Sequence, residues 1–144
     1  MVILGLGSNL GDRLHHLRHA LDLIKKIPHL SVKQISPLYT SDALMPENAS
    51  PDWDLPFLKA CLRCETTLSP YALLEITQRI EKEVGRRAEK VWGPRVIDID
   101  ILLYDDIKLI TPKLLIPHPR MLERSFVMGP LGEIDPVLCA SLKP

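Results

Sequence analysis

The order of strand-like and helix-like apolar patterns is the feature that most constrains how this chain can fold. Short apolar or alternating runs indicate strands, and apolar residues spaced three and four apart indicate helices. In chain order the patterns are a strand at residues 1–7, a helix at 11–28, strands at 30–40 and 56–65, a helix at 69–85 and a strand at 96–104. Only a loop separates the second strand from the third, whereas a doubly wound sheet needs a helix between successive strands. The βαββαβ order predicts an α+β fold, the ferredoxin-like sandwich with helices packed on a mixed or antiparallel sheet.

Capping residues support both helix predictions. Asp12 is the expected N-cap of the first helix. Ser69 is the expected N-cap of the second, which has Pro70 in its first turn and Gly85 at its end. The side chains expected to face the core are Leu14, Leu17, Leu21 and Ile24 in the first helix and Leu73, Ile76, Ile80 and Val84 in the second.

Two long irregular segments interrupt this order. Residues 42–56 contain three prolines and no periodic pattern, and residues 86–95 form a basic loop before the last strand. A loop of that length in a compact domain is more often functional than idle. After the last strand, a turn at 105–106 is expected to lead into a partner strand at 107–110, and a short helix is expected within 116–134.

Composition limits the size, the location and the partners of the protein. A chain of 144 residues is long enough for one domain and short for two, so residues 1–144 are predicted to be a single domain. Eighteen basic and eighteen acidic side chains cancel, so bulk charge gives no argument for a nucleic-acid or membrane partner. No apolar run approaches the ~20 residues of a membrane helix, and no signal sequence opens the chain. We therefore expect a cytoplasmic protein.

Two cysteines form a CxxC pair, a spacing found in redox and zinc sites. Cys61 and Cys64 lie within a predicted strand, where side chains three positions apart point to opposite faces. A shared metal or disulfide would need a local distortion of that strand. Two buried, reduced thiols are the favoured interpretation.

The glycine-rich segment GLGSNLGD follows the first strand and invites comparison with nucleotide-binding loops. In the dinucleotide pattern GxGxxG the third glycine comes one residue earlier than Gly11 does here, and the Walker pattern is absent. The need for a turn is the preferred explanation of these glycines.

Two aspartates interrupt the apolar run of the last strand, GPRVIDIDILLYDD. Because strand side chains alternate, one face is predicted to carry Ile97, Ile99, Ile101 and Leu103, and the other Val96, Asp98, Asp100 and Leu102. Neighbouring carboxylates repel each other unless a cation lies between them, and Mg²⁺ suits oxygen ligands that water and phosphate complete. Such a pair could hold two ions about 3.5–4 Å apart. An incidental, solvated pair is the alternative.

Basic residues flank the aspartate pair on both sides. They are Arg86, Arg87, Lys90 and Arg95 before it, and Lys113, His118, Arg120 and Arg124 after it. Guanidinium groups beside metal-binding carboxylates are suited to a polyphosphate, because their paired donors match phosphate oxygens. Arg95, three residues before Asp98, is the leading candidate. Exposed charges that balance nearby glutamates are the alternative for Arg87, Lys90 and Arg120.

Four segments together resemble a known enzyme family. WGPRVIDIDILLYD is similar to the signature of the 6-hydroxymethyl-7,8-dihydropterin pyrophosphokinases of folate biosynthesis. GLGSNLGD, TQRIEKEVGR and IPHPRMLERSFVMGPLGEI resemble the same family in the same order, so the resemblance runs from about residue 3 to 136. It implies transfer of pyrophosphate from MgATP to the hydroxymethyl group of the pterin, with release of AMP, on a ferredoxin-like fold.

The resemblance also implies roles for individual residues. Asp98 and Asp100 match the residues that hold two Mg²⁺ ions, and they act in catalysis with Arg86 and Arg95. The implied pterin-binding residues are Ser41, Asp42, Leu44, Phe57, Lys59, Trp92 and Phe126. The implied ATP-binding residues are Gln78, Glu81, Arg86, Arg95, Ile101, Lys113, His118 and Arg124. The long loops are expected to close over the substrates and exclude water.

This chain departs from the family pattern at two positions. Lys59 stands where the family usually has an asparagine, and an ammonium offers only donors whereas an amide offers a donor and an acceptor. Val91 stands where a basic residue commonly precedes the loop tryptophan. Two other function classes therefore remain open: a different metal-dependent nucleotidyl or phosphoryl transferase, and a non-catalytic ferredoxin-like module that binds a nucleotide or a protein.

The resemblance bears on partners as well. It implies small-molecule substrates, ATP and a dihydropterin, and we expect a monomer. In some organisms this activity is fused to dihydropteroate synthase, so the chain could be one domain of a longer fusion.

Overall fold

The computed structural model of the protein describes residues 1–42, 47–49, 51–86 and 94–119. Its strands are β1 (Val2–Ser8), β2 (Leu30–Ile35), β3 (Tyr39–Ser41), β4 (Phe57–Thr66), β5 (Asp98–Tyr104), β6 (Leu109–Ile110) and β7 (Leu115–Ile116). Its helices are α1 (Arg13–Lys25) and α2 (Pro70–Val84), with a single 3₁₀ turn at Pro51–Trp53. Among these residues, no helix is both long and apolar enough to cross a membrane.

The main sheet is antiparallel and has the order β2-β4-β1-β5, with the short β3 also paired to β4. Both helices pack on one face of it. The core on that face joins Val2, Leu4 and Leu6 of β1 to apolar side chains of α1, α2, β4 and β5. The predicted α+β class, with two helices on a sheet, is confirmed.

Both helices begin where their caps predict. The Asp12 side chain accepts a hydrogen bond from the His15 N–H at 3.1 Å, and the Ser69 hydroxyl accepts one from the Ala72 N–H at 3.2 Å. The predicted core face of α1 is wrong at its first position, because Leu14 is 38% exposed. Ala20 is buried in that helix together with Leu17 and Ile24.

The predicted second strand is two strands, β2 and β3, separated by residues 36–38, which include Pro37. Proline has no N–H to donate to a strand ladder, which favours an interruption there. The Ser36 hydroxyl accepts the Cys61 N–H at 2.8 Å, so a side chain takes over one contact of the ladder. The prediction for residues 107–110 is also wrong in its partner, since β6 pairs with β7 and not with β5.

An irregularity in β5 moves one predicted core residue to the other face. Ile101 pairs with Leu4 but Leu103 pairs with Ile3, so β5 has one extra residue, Leu102, between these pairs. Such a bulge reverses the alternation of side chains beyond it. Leu103 therefore lies on the face opposite the helices, although Ile97, Ile99 and Ile101 lie in the core as predicted.

The two cysteines of β4 face opposite sides of the sheet. Cys64 pairs with Val2 and belongs to the core under the helices, whereas Cys61 pairs with Gly5 on the other face. Burial raises the pKa of the Cys61 thiol to about 11 and that of Cys64 to about 12. Both thiols are therefore protonated at neutral pH.

Candidate active site

The face of the sheet that the helices leave open carries a depression centred on the two glycines of β1. Gly5 pairs with Cys61 on one side and with Asp100 on the other, and Gly7 pairs with Lys59 and with Asp98. Directly paired residues project to the same face, so these side chains surround one space. The depression has an empty volume of about 420 Å³ including its open mouth.

The glycines form the floor of this depression, which corrects their interpretation as turn residues. A Cβ atom at Gly5 would lie 3.1 Å from Leu102 Cδ1, and one at Gly7 would lie 3.4 Å from Lys59 Cε and from Phe57 Cδ1. Both glycines are inside β1, and only Gly11 of the segment has a left-handed backbone, with φ of 71°. Side chains at the first two positions would fill the space between Lys59 and the aspartates.

Asp98 holds the two predicted catalytic arginines together. Arg86 Nη1 lies 2.9 Å from Asp98 Oδ1, and Arg95 Nη1 lies 3.0 Å from Asp98 Oδ2. Each carboxylate oxygen therefore has its own guanidinium. Arg95 Nε is buried and has no hydrogen-bond partner among the residues described. The two guanidinium groups are thus held side by side on one carboxylate.

The surroundings of Asp100 disfavour the charged form of its carboxyl group. Desolvation is the largest cause that raises its pKa, followed by the charge of Asp98, while His118, Lys59 and Arg95 oppose the shift. The residue as a whole keeps an exposed surface, so solvent still reaches it while neighbouring protein atoms crowd its carboxyl group. Two carboxylates on one face with this repulsion form a site suited to a cation.

Glu81 reaches the site from α2 and joins that helix to β5. It is 7% exposed, and its Oε2 accepts the Ile99 N–H at 2.9 Å and Arg86 Nη1 at 2.6 Å. Burial raises its pKa to about 7, although both hydrogen bonds favour the charged form and act in the opposite direction. Glu81 therefore helps to hold the Arg86 guanidinium in position through this hydrogen bond. A direct contact between Glu81 and ATP stays a prediction.

Lys59 lies inside the depression. Its ammonium lies 4.6 Å from the centroid of the Phe57 ring, and its charge lowers the pKa of Asp100 against the stronger effects that raise it. Ser41 pairs with Phe57, and its buried hydroxyl has no partner among the described residues. These three predicted pterin-binding residues lie together at one end of the open face, and Asp42 directly follows Ser41 in the chain.

Four of the predicted ATP-binding residues, Gln78, Ile101, Lys113 and His118, line the depression or the grooves beside it. His118 borders both the depression and a groove formed with Ile101 and Lys113. Lys113 in turn borders a wider groove against α2, where Gln78 lies. The His118 N–H donates to the Leu102 carbonyl at 2.9 Å, which attaches this segment to β5. The structure thus brings these predicted ATP-binding residues close to the aspartates.

Several predicted site residues lie outside the described part of the chain. They are Leu44, Trp92, Arg124 and Phe126, together with Arg87, Lys90, Val91 and Arg120 of the flanking basic set. The short helix expected within 116–134 also falls mostly on those residues. Their roles stay predictions.

Sequence reasoning gave no role to Asn9, which bonds to two separate segments of the site. Its side chain contacts Leu55 and Arg95, far apart in the chain. The sequence offered one signal, a polar residue directly after a buried strand, but its partners depend on long-range contacts.

Comparison with known proteins decides the family. Residues 3–136 match the family described as 7,8-dihydro-6-hydroxymethylpterin-pyrophosphokinase (HPPK). The chain belongs to this family. The predicted resemblance is confirmed, and so is the predicted activity: the protein is a pyrophosphokinase that transfers pyrophosphate from ATP to hydroxymethyldihydropterin in folate biosynthesis.

Relatives of the pyrophosphokinase are similar over most of its length. The 2-amino-4-hydroxy-6-hydroxymethyldihydropteridine pyrophosphokinase of Bacillus subtilis is 43% identical over 131 residues, covering 91% of this chain and 75% of the relative. The Aquifex aeolicus protein of the same name is 43% identical over 135 residues, covering 94% and 80%. A folate synthesis bifunctional protein of Chlamydia trachomatis is 41% identical, and the match spans 94% of this chain but 30% of that protein.

A solved structure supports the fold. The crystal structure of an HPPK-DHPS protein in complex with substrates has a TM-score of 0.60 to this chain at 16% identity, covering 94% of this chain and 40% of that one. This likeness concerns the fold alone.

Proposed function

We propose that the open face of the sheet is the site where the pyrophosphokinase brings its two substrates together. The pterin would bind at the end formed by Ser41, Phe57 and Lys59, and ATP in the grooves beside His118 and Lys113. The aspartates lie between these two ends, where the transferred group must pass. This arrangement of the depression and its adjoining grooves is the observation that carries the proposal.

We further propose that the fold is the ferredoxin-like sandwich and that residues 1–144 form one domain. The βαββαβ order and the sheet order β2-β4-β1-β5 support the first assignment. The bifunctional relatives are compatible with a domain that also occurs fused to dihydropteroate synthase.

Asp98 and Asp100 fit the requirements of Mg²⁺. The chemistry of the donor set supports this, because two carboxylates share one face, and desolvation together with the charge of Asp98 raises the pKa of Asp100. Two protein oxygen ligands are typical for Mg²⁺, whose other positions are filled by phosphate and water. When bound, Mg²⁺ would supply neutralisation of phosphate charge, and we propose two ions as the family resemblance implies.

The arginines would contribute by changing partners. Arg86 and Arg95 are held on Asp98, and a polyphosphate offers them more negative charge than one carboxylate. Their transfer to the phosphates would free both Asp98 oxygens. The arginines would then stabilise the charge that develops on the transferred group.

The proposed chemical step is an in-line displacement at the β-phosphorus of ATP. The pterin hydroxymethyl oxygen forms a bond to the β-phosphorus, the bond from that phosphorus to the bridging oxygen of AMP breaks, and the hydroxyl proton is released. Because the substrates supply the reacting atoms, the protein contributes mainly positioning and electrostatic stabilisation.

Product analysis by phosphorus NMR tests this proposal. Folded protein incubated with ATP, Mg²⁺ and 6-hydroxymethyl-7,8-dihydropterin should give AMP and a pterin diphosphate in equal amounts. ADP or free pyrophosphate as the stoichiometric product would indicate a different transferase. Unchanged ATP from folded protein would contradict the catalytic assignment and favour a binding module.

Lys59 should weaken the affinity of the site for Mg²⁺. Its ammonium lies in the same depression as both aspartates, so it competes electrostatically with an added cation. We expect Lys59→Met, which keeps the apolar stem, to lower the Mg²⁺ concentration for half-maximal turnover by about three- to tenfold at low salt. The exposed Lys33→Met serves as the matched control. An unchanged or higher Mg²⁺ requirement in Lys59→Met would contradict this role.

A further inference from the structure

Asn9 joins two segments of the site that are far apart in the chain. It follows β1 directly and is 4% exposed. Its Nδ2 donates to the Leu55 carbonyl at 3.0 Å, and its Oδ1 accepts the Arg95 N–H at 2.7 Å. The Asn9 backbone N–H also donates to the Arg95 carbonyl at 3.1 Å. One side chain thus bonds to both segments.

Each of these partners stands next to a residue of the proposed site. Leu55 lies two positions before Phe57, at the end of the proline-containing segment, and the adjacent Pro56 carbonyl accepts Arg13 Nη1 at 3.0 Å. Arg95 begins the approach to β5, and its side chain binds Asp98. Asn9 is therefore hydrogen-bonded both to the backbone that leads to Phe57 and to the backbone of Arg95.

The amide of Asn9 satisfies both partners of this side chain. It combines a donor and an acceptor in one planar group, whereas a carboxylate has two acceptors and would face the Leu55 carbonyl with a lone pair. A buried N–H or carbonyl that loses its partner is costly, so neither contact is easily replaced.

We propose that Asn9 is a positioning residue that sets the distance between the pterin end and the phosphate end of the site. This inference rests on the proposed function, because it assigns Phe57 and Arg95 to different substrates. Transfer between two bound substrates depends steeply on their relative placement. A small displacement of these two segments therefore lowers the rate of pyrophosphate transfer when both substrates are bound. Binding of each substrate alone depends less on it.

Two variants separate the two contacts of the side chain. Asn9→Asp keeps an acceptor for the Arg95 N–H but loses the donor to Leu55, and Asn9→Ala loses both. We expect about a ten- to hundredfold lower kcat in both. We expect the KM for the pterin to rise more than the Kd for ATP in Asn9→Asp, and both to rise in Asn9→Ala. Amide hydrogen exchange at Arg95 should accelerate in Asn9→Ala and stay slow in Asn9→Asp.

Thr66→Val is the matched control, since Thr66 also joins two segments but at the far end of β4. Its hydroxyl donates to the His29 carbonyl at 2.8 Å and accepts the Leu68 N–H at 3.1 Å. We expect this variant to lose stability while it keeps kcat and both substrate affinities within twofold.

The outcomes distinguish failure of this inference from failure of the proposed function. Wild-type protein that forms no AMP contradicts the proposed function. Active wild type with Asn9 variants unchanged in kcat and in substrate affinity overturns the positioning role. An equally large fall in kcat in Thr66→Val would overturn it as well, because lost stability alone would then explain the effect. If Asn9→Ala does not fold, the kinetic and exchange results of Asn9→Asp decide.

Discussion

Asp100→Asn should abolish turnover and leave the protein at least as stable as the wild type. The substitution removes one of the two carboxylates that we assign to Mg²⁺, and loss of several kcal/mol of transition-state stabilisation lowers kcat by about a thousandfold or more. Turnover would be measured as AMP formation at saturating ATP and pterin. Asp106→Asn, in the exposed turn after β5, should retain wild-type kcat.

The expected stability follows from the direction in which the pKa of Asp100 is shifted. Desolvation and Asp98 raise that pKa, so the ionised carboxylate disfavours the folded state. Without metal, the free energy of unfolding should therefore fall as pH rises through the range between the ordinary and the raised pKa. Asp100→Asn lacks this decrease. Urea unfolding of both proteins across that range, with a chelator present, measures the difference.

The result that would refute this assignment is a structural one. If circular dichroism showed that Asp100→Ala or Asp100→Asn is unfolded, the aspartate would hold the fold together and its role in binding metal would be wrong. A substitution of Asp98 would be harder to interpret, because it also releases Arg86 and Arg95 from their ion pairs.

Glu81→Ala should cost about 2–3 kcal/mol of stability, since it leaves the buried Ile99 N–H without its acceptor and removes one carboxylate partner of Arg86. The kcat should fall as well, because Arg86 loses its support. Denaturant unfolding at pH 8 and AMP formation are the two measurements. Glu83→Ala on the exposed side of α2 is the matched control and should change neither.

Glu81→Gln separates the charge of this side chain from its shape. The pKa of Glu81 is about 7 in the folded protein against 4.5 ordinarily, so the folded state binds this proton more tightly. The corresponding stability is present below about pH 4.5, decreases as pH rises towards 7 and is lost above it. The glutamine variant should lack this part of the decrease. A slope equal to that of the wild type would show that Glu81 does not titrate in this range.

The local elements of the fold could be predicted because each depends on residues near in sequence. Asp12 and Ser69 mark where the helices begin, and the helix-facing residues Ile97, Ile99 and Ile101 follow from strand alternation. The prediction from alternation was wrong for the face of Leu103, because the bulge in β5 arises from pairing with β1 and leaves no local signal in the sequence. The predicted burial of Leu14 was wrong for a similar reason, because the width of the buried face of α1 depends on where that helix lies on the sheet.

The sequence by itself determined the order of the elements, the carboxylate pair on one face of β5 and, through its motifs, the family. Periodicity and motif chemistry are local properties that survive without knowledge of the fold. Only the tertiary structure decided that Gly5 and Gly7 form the floor of the site, that Asp98 holds two arginines and that Asn9 links Leu55 to Arg95. These features join residues as much as 86 positions apart in the chain. Their geometry is set by strand register and packing, which no short stretch of sequence specifies.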